Sequence, residues 1–478
     1  MIDTETLRKK VIDLAIEGKL TVQLPEDGNA EILMEQIAKE KKELIQQGKI
    51  PKEKKLPDIL EEDIPFDLPT SWKWVRVQDV ASYITDYVAN GSFATLKEHT
   101  KTYREPNYAI FVRTMDFGSE FKEGCSYIDE ESYNFLEKSK LFGGELILPN
   151  IGASIGKAFV MPDLGMPMSL APNSILLKFL HSEMNEFFSI VVKSTYGQKL
   201  LNKTQGGSAT AKFSKTDLRS LVVPLPPIDE QKRIVEKLNI VFAQIGIIDA
   251  LQQQYESDCE ILKGKIIDAG ICGKLTQQSP NDGSVTVIKK TKTIPEHEKW
   301  IKTPGSWAWS TLSSITSPDS LNDGNWVLSA DMVTEGEVKL IQLGSIGDCK
   351  YRYKGFKYLT RDHFEELNGR QIFPGYLLVN RLVVDKMLSC IVPDIDGILM
   401  TAVDVCWIAP NDDLYDIRYL MYVLSSSGFQ QRVRELGHGV TRFRISKNNL
   451  IEIPLPFPPL AEQKRIVSAI DGLLALSC

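Results

Sequence analysis

Pro224-Leu-Pro-Pro-Ile-Asp-Glu-Gln-Lys-Arg-Ile-Val235 returns near the end of the chain as Pro454-Leu-Pro-Phe-Pro-Pro-Leu-Ala-Glu-Gln-Lys-Arg-Ile-Val467. Glu230 to Val235 match Glu462 to Val467 at a constant offset of 232, and six identical residues in register mark a duplication. Further back, Gly144-Glu-Leu-Ile-Leu148 compares with Gly375-Tyr-Leu-Leu-Val379, and Pro69-Thr-Ser-Trp-Lys-Trp74 with Pro304-Gly-Ser-Trp-Ala-Trp309. A third match has another offset: Leu7 to Thr21 aligns with Leu262 to Thr276, with more than half of its positions identical. That element follows the first Glu-Gln-Lys-Arg segment, is missing after the second, where the sequence stops at Cys478, and reappears at the N-terminus. Read as a circle, the two repeats are complete. The expectation is that the N-terminal helix packs beside the C-terminal one and finishes it, with pseudo-twofold symmetry.

Between Pro227 and Gly270, Ile234, Leu238, Val241, Ile245, Ile248, Tyr255, Cys259, Leu262, Ile266 and Ala269 fall at spacings of three and four, interrupted at Gln252. That is a heptad seam. Pro227 suits a first helical position, and Glu230 sets negative charge near the positive end of the helix dipole. Ile466, Ile470 and Leu473 carry the same seam in the second copy, and Leu7, Val11 and Leu14 continue it. The resulting helix is roughly 60 Å long at ~1.5 Å per residue and needs an antiparallel partner to cover its stripe.

The segments 72–220 and 306–452 have a different texture, with short β-type runs at Tyr108–Val112, Glu145–Leu148, Ser174–Phe179, Tyr376–Val379 and Val403–Ile408, punctuated by Gly, Pro and Asn. The fold class expected is α+β: two globular domains with small sheets, separated by long antiparallel coiled-coil helices, as a circularly permuted repeat. The parts are an N-terminal helical segment and linker (1–71, with a charged helix at 31–47), the first domain (72–220), a central helix (221–276), a linker (277–305), the second domain (306–452) and a C-terminal helix (453–478).

Lys and Arg number 56 against 63 Asp and Glu, so the net charge of −7 does not advertise a polyanionic partner. Locally the balance inverts. Lys193, Lys199, Lys203, Lys212, Lys215 and Arg219 face only Asp217 between positions 193 and 219. Arg432, Arg434, Arg442, Arg444 and Lys447 face only Glu435 between 432 and 447. Both patches precede the Pro-rich helix start and mix in Thr204, Gln205, Ser208, Thr210, His438 and Thr441 among glycines. Bases neutralise phosphates while Arg, Gln and Thr reach base edges, which is the pairing that sequence-specific DNA readout needs. A solvated basic loop would explain one such patch; two at equivalent places in an otherwise acidic chain favour DNA.

No stretch approaches the ~18 to 20 apolar residues that span a bilayer, and the first residues alternate in charge without a signal core, so a cytoplasmic location is expected. Seven cysteines, with no Cys-x-x-Cys and no spaced histidines, read as free thiols rather than a zinc site. Leu343-Gly-Ser-Ile-Gly347 lacks the spacing of a cofactor loop. Asn150-Ile-Gly-Ala-Ser-Ile-Gly-Lys157 has its glycines four apart and Ala after the Lys, which suits a tight turn better than a phosphate loop.

The paired Pro-Leu-Pro-Pro-x-x-Glu-Gln-Lys-Arg-Ile-Val elements, the Leu-x-x-Lys-x-Ile-Asp-x-x-x-x-Gly-Lys-Leu elements and the two variable domains between them resemble the specificity subunit of a type I restriction-modification system, over essentially the whole chain. The resemblance implies a non-catalytic, DNA-binding subunit whose two target-recognition domains each read one half of a split, asymmetric site. Its helices then act as a spacer and dock two methyltransferase (M) subunits, which methylate adenine with S-adenosylmethionine; restriction (R) subunits join to cleave with ATP and Mg. No cofactor, metal or membrane is expected for this chain itself. The candidate DNA-binding residues are Lys193, Lys199, Lys203, Thr204, Gln205, Lys212, Lys215, Arg432, Arg434, His438, Arg442, Arg444 and Lys447. The candidate partner-docking and seam residues are Glu230, Gln231, Arg233, Ile234, Leu238, Glu462, Gln463, Arg465, Ile466 and Ile470. The sequence departs from many relatives in ending early along its last helix. The alternatives are the specificity subunit of a related bipartite (type IIB-like) enzyme, or a coiled-coil scaffold without DNA readout.

Overall fold

The computed structural model describes residues 1–203, 212–283, 285, 294–439 and 442–477, without the side chains of residues 202 and 203. It divides into two compact units, Met1–Gln252 and Gln253–Cys478. The boundary falls inside one continuous helix, α5 (Ile228–Ile271, 44 residues), about 66 Å long at ~1.5 Å per residue. The other helices used below are α1 (Thr4–Ile16), α2 (Ala30–Gln46), α3 (Glu183–Lys193), α4 (Thr195–Lys203), α6 (Ile417–Ser425), α7 (Ser427–Leu436) and α8 (Leu460–Ser477).

In the first unit, Ala81–Asp86, Ser174–Phe179, Leu146–Pro149 and Phe159–Val160 form a four-stranded antiparallel sheet in that order. A second sheet runs Thr102–Tyr103, Tyr127–Ile128, Ala109–Val112, Met168–Leu170, Lys140–Leu141, and only its Ala109–Val112 and Met168–Leu170 neighbours are parallel. A ribbon of Lys73–Arg76 with Val222–Leu225 clips the two ends of this head together.

The second unit repeats the plan with a different sequence. Its antiparallel sheet is Leu321–Asp323, Val405–Ile408, Leu377–Asn380, Ser389–Ile391. Its second sheet is Lys357–Leu359, Val338–Ile341, Ile398–Thr401, again with one parallel pair, and its clip is Ala308–Thr311 with Pro454–Phe457. The apolar runs read from the sequence as strands are these central strands, buried on both faces as their unbroken hydrophobicity requires.

Within the first unit α1 lies antiparallel to α5. Ile2 N donates to Gln252, Thr4 and Arg8 reach Asp249, and Thr21 and Gln23 meet Glu230. In the second unit α8 lies along the last part of the same helix, with Ile470 against Gly270 and Cys259 Sγ 3.8 Å from the Ser477 carbonyl. α1 thus lies along the first part of the central helix and α8 along its last part. Each unit holds one Leu7-type element, one head and one Glu-Gln-Lys-Arg element in the same order, a direct tandem repeat. The two offsets, 255 and 232, differ because the second copy is 23 residues shorter and has no counterpart of α2 among its described residues.

The expected seam holds at both ends of α5, where Ile234, Leu238, Ile245 and Ile266 are buried, as are Ile466 and Ile470 on α8. It fails in the middle, because Tyr255 and Leu262 are 55% and 43% exposed. Tyr255 lies beyond the reach of α8, whose end meets Cys259. Cys125, Cys272, Cys349, Cys390 and Cys406 are free thiols. No helix among the described residues is long and apolar enough to cross a membrane.

The repeated motifs build one joint per unit. Glu230, fully buried, accepts from Trp72 Nε1 (2.8 Å), Thr21 Oγ1 (3.1 Å) and Gln23 Nε2 (2.9 Å). Glu462 accepts from Trp307 Nε1 (2.9 Å), Thr276 Oγ1 (3.2 Å) and Gln278. Gln231 and Gln463 each donate to the carbonyl five residues earlier, Pro226 and Pro458, at 2.9 Å. Arg233 grips Asp27 and Arg465 grips Asp282, both through two nitrogens. A carboxylate is tolerated in such a place only because donors surround it.

Gly18 and Gly273 sit at the same place in each joint, with φ of +69° and +72°. A Cβ on Gly18 would come within 2.3 Å of Pro69 Cγ, whereas one on Gly48, at φ +70°, would meet nothing. Both Gly→Ala changes cost roughly 1–2 kcal/mol for the left-handed backbone, and the clash adds about 1–3 kcal/mol at Gly18. Urea titration should therefore place Gly18→Ala well below Gly48→Ala in midpoint; equal midpoints would show the joint to be loosely packed.

Candidate nucleic-acid interface

The first basic patch runs from Lys193 at the end of α3 onto α4 and the second begins on α7, and both α4 and α7 are positioned by the repeated motifs. Asp13 of α1 accepts from Thr195 N (2.8 Å) and Thr195 Oγ1 (2.7 Å), and Asp268 of α5 accepts from Ser427 N (2.8 Å). A carboxylate at these first backbone N–H groups satisfies donors the helix leaves open and complements its dipole. The aspartate of the Leu-x-x-Lys-x-Ile-Asp element thus fastens the head to α1 in the first unit and to α5 in the second.

One turn on, Gln198 Nε2 donates to the carbonyls of Val192 and Gly156, both at 2.8 Å. Gln430 Nε2 donates to Leu424 O (2.6 Å) and Met387 O (2.9 Å), and its Oε1 accepts from Met387 N (2.8 Å). These glutamines stand 232 residues apart and do one job: each pins the loop that follows a central strand, 150–157 in the first unit and 380–387 in the second. The far end of each patch holds the same loop from the other side. Lys212 bridges to Ile151 and Arg444 to Leu382, with Phe213 N on Asn150 O (2.9 Å) and Ile445 N on Arg381 O (3.1 Å). The stretch Asn150–Lys157, expected to be a turn, contains a short 3-10 turn at Gly152–Ser154 and positive φ at Gly152 and Gly156. It is a platform beside the cations, a role that no local signal revealed because both pins come from distant segments.

The predicted side chains divide into free and committed groups. Lys193, Lys199 and Lys212 are exposed in the first unit, as are Arg434, His438, Arg442 and Arg444 in the second. Lys215 pairs with Asp86 at 2.7 Å and Arg219 with Glu53 at 2.8 Å. Arg432 pairs with Glu435 at 2.8 Å, and that hydrogen bond holds the glutamate below the usual carboxylate range. Arg444 lies 3.7 Å from Asp404 but stays half exposed; Lys447 donates to Asn322 Oδ1 at 3.1 Å, and Arg434 to Asp385 O at 3.2 Å. His438 and Arg444 exchange both backbone hydrogen bonds, and Arg442 beside them is exposed. Thr204, Gln205, Ser208, Thr210, Thr441 and the side chain of Lys203 lie outside the described residues. Arg381, only 6% exposed, is spent on Asp323 and on the carbonyls of Val403 and Ile445, so it braces the loop from within.

Of the residues expected to dock partners, Glu230, Gln231, Glu462 and Gln463 are buried and satisfied inside their own unit, and Arg233 and Arg465 are held by aspartates. Within each unit the identical tetrad is a joint. Within it, Lys232 and Lys464 point to solvent.

Residues 69–257 and 394–477, more than half of the chain, match the family model described as the type I restriction modification DNA specificity domain. The chain is 23% identical to the Type I restriction enzyme EcoEI specificity subunit of Escherichia coli, over 97% of this chain and 88% of that one. It is also 23% identical to the EcoAI specificity subunit of Escherichia coli, over 98% and 88%. Among solved structures, one described as showing complex assembly and conformational transition of the type I R-M system aligns with a TM-score of 0.57 at 16% identity, over 86% of this chain and 92% of that chain, a likeness of fold. A duplicated α+β head, repeated helical joints and the matched family model together make this chain a member of the type I restriction-modification DNA specificity family.

Proposed function

We propose that the chain is the sequence-reading subunit of a restriction-modification complex, each head reading one half of a bipartite, asymmetric DNA site. The observation that carries this reading is the pair of basic helix-and-loop surfaces. They are built on equivalent residues, Gln198 and Gln430, Lys212 and Arg444, yet they expose unlike side chains. Equivalent scaffolds fix where each head grips, and unlike side chains let each half-site differ.

The helices separate the heads and dock two methyltransferase subunits. In the first unit α5 exposes Ile240, Ile247 and Leu251 at 56–64%, and in the second it exposes Tyr255, Ile261 and Leu262 at 43–55%. Clusters of large apolar side chains open to water mark protein contact surfaces. Methylation of adenine in a duplex requires extrusion of the base, which on this reading takes place in the partner's pocket with S-adenosylmethionine. Cleavage with ATP and Mg belongs to the restriction subunits, and this chain carries no catalysis of its own. The complex works in the cytoplasm.

Co-expression with the modification subunit in a host that lacks methylation, followed by genome-wide mapping of methylated adenines, tests the reading. The expected result is one split, asymmetric motif with a fixed gap. A contiguous motif, or methylation that is unchanged when this chain is omitted, contradicts it.

A further inference from the structure

Lys350-Tyr-Arg-Tyr-Lys-Gly-Phe-Lys-Tyr358 is the most concentrated run of cations and aromatics in the second head, and neither predicted patch includes it. It connects the strands Val338–Ile341 and Lys357–Leu359. Its root is fixed. Asp348 is bound by Lys263 of α5 and by Lys386 (2.7 Å), Cys349 N donates to Ser389 O at 2.9 Å, and a tight hairpin closes through Arg352 N on Ser345 O at 2.8 Å. Tyr351 and Phe356 turn inward and pack on the core around Leu378 and Trp407.

What remains outward is charge. Lys350, Arg352, Lys354 and Lys357 are exposed, and none has a carboxylate within 4.0 Å among the described residues. Between them Tyr353 stands 72% exposed, edge-on to Tyr351 at 5.1 Å. A bare row of cations with an open phenol costs self-repulsion and gains nothing inside the fold, so its complement lies outside the chain.

The root of the arm is also tied to the loop that the second basic patch holds. Lys386, which holds Asp348, closes the loop 380–387, whose Leu382 bridges to Arg444 and whose Asp385 carbonyl receives Arg434. Lys350 is two residues from Asp348, at most ~7 Å along the chain. The topologically equivalent connection in the first head, between Ala109–Val112 and Tyr127–Ile128, is balanced instead. Its Arg113 is paired with Asp116 at 2.6 Å and its Lys122 with Glu120 at 2.5 Å, leaving Glu123 in excess.

We propose that residues 350–358 are a DNA-backbone arm of the second head alone, with Lys350, Arg352, Lys354 and Lys357 neutralising phosphates and the Tyr353 hydroxyl donating to one. The arm rests on the DNA-reading function proposed above and makes the two heads unequal in grip as well as in sequence.

The test uses the full chain assembled with its modification subunits and a fluorescein-labelled mixed-sequence duplex, with affinity read by anisotropy between about 50 and 200 mM salt. Changing all four cations to Gln should reduce the slope of log affinity against log salt by about 3 to 4, since each lost phosphate contact removes about 0.9. Changing Lys350, Lys354 and Lys357 to Arg and Arg352 to Lys should keep the wild-type slope, as should matched changes at Arg104, Lys122 and Lys138 of the first head far more nearly than the Gln set. Should the fourfold Gln variant unfold, the single variants Lys350→Gln and Lys354→Gln, each expected to remove about 0.9 of slope, decide the matter. An unchanged slope in variants that fold and assemble overturns the arm while leaving the reading function standing, and a loss of assembly with normal DNA binding overturns it in favour of a protein contact. A wild-type complex that binds the duplex without salt dependence overturns both.

Discussion

Glu230→Ala is expected to destabilise the first unit by about 2–4 kcal/mol, the largest stability loss from any single substitution in the helical joints. The carboxylate is fully buried and takes hydrogen bonds from Trp72, Thr21 and Gln23. Alanine leaves the buried indole N–H without an acceptor, at about 1–3 kcal/mol, and removes one acceptor from Gln23, whose amide keeps the Gly18 and Thr21 carbonyls; the emptied side-chain volume adds to the loss. Glu230→Gln should lose less, since its carbonyl still serves Trp72. The same ranking should hold for Glu462→Ala and Glu462→Gln in the second unit, where Trp307 takes the place of Trp72. Chemical denaturation of the full chain, followed by tryptophan fluorescence, reads both. Midpoints within error of wild type for both alanine variants would mean that the joints carry no stability.

The second large effect is on recognition. Replacing Arg442 and Arg444 together by Glu should weaken DNA binding roughly ten- to a hundredfold and lower the salt slope by about 2, through loss of two phosphate-side cations and the repulsion that replaces them. Both side chains are exposed, and the His438–Arg444 contact is made by backbone hydrogen bonds that do not depend on these side chains, so the fold should survive. Discrimination should relax only in the half-site read by the second head. Relaxation across both halves would mean that the heads do not act separately.

Much of this architecture is written locally and was legible. The heptad spacing on α5, the strand runs around Ile147, Leu176, Leu378 and Cys406, and the offset of 232 are properties of short windows, and local patterning governs helices and buried strands. The function of the Glu-Gln-Lys-Arg tetrad was not legible. A surface-looking run of charge is buried here because Trp72, 158 residues away, supplies the donor, and no spacing rule links the two. The same holds for the basic patches. Their location could be counted from the sequence, but Lys215 and Arg219 are neutralised by Asp86 and Glu53, more than 120 residues distant, so the usable charge is smaller than the count. The motif order pointed to α1 joining the helical repeat, and its hydrogen bonds to Asp249 and Gln252 give the central helix as its partner. The segment 350–358 could have been found by scanning for cations interleaved with aromatics, a signal that a count restricted to helix-flanking patches passes over.

The measurement that bears most directly on two separate readers is a head exchange. Residues 72–220 are replaced by the corresponding head of a family member with another site, the hybrid is co-expressed with its modification subunit, and methylated adenines are mapped. One half of the split motif is expected to change to the donor's while the other half stays as it was. A motif altered in both halves, or unaltered in either, would contradict separate reading by the two heads.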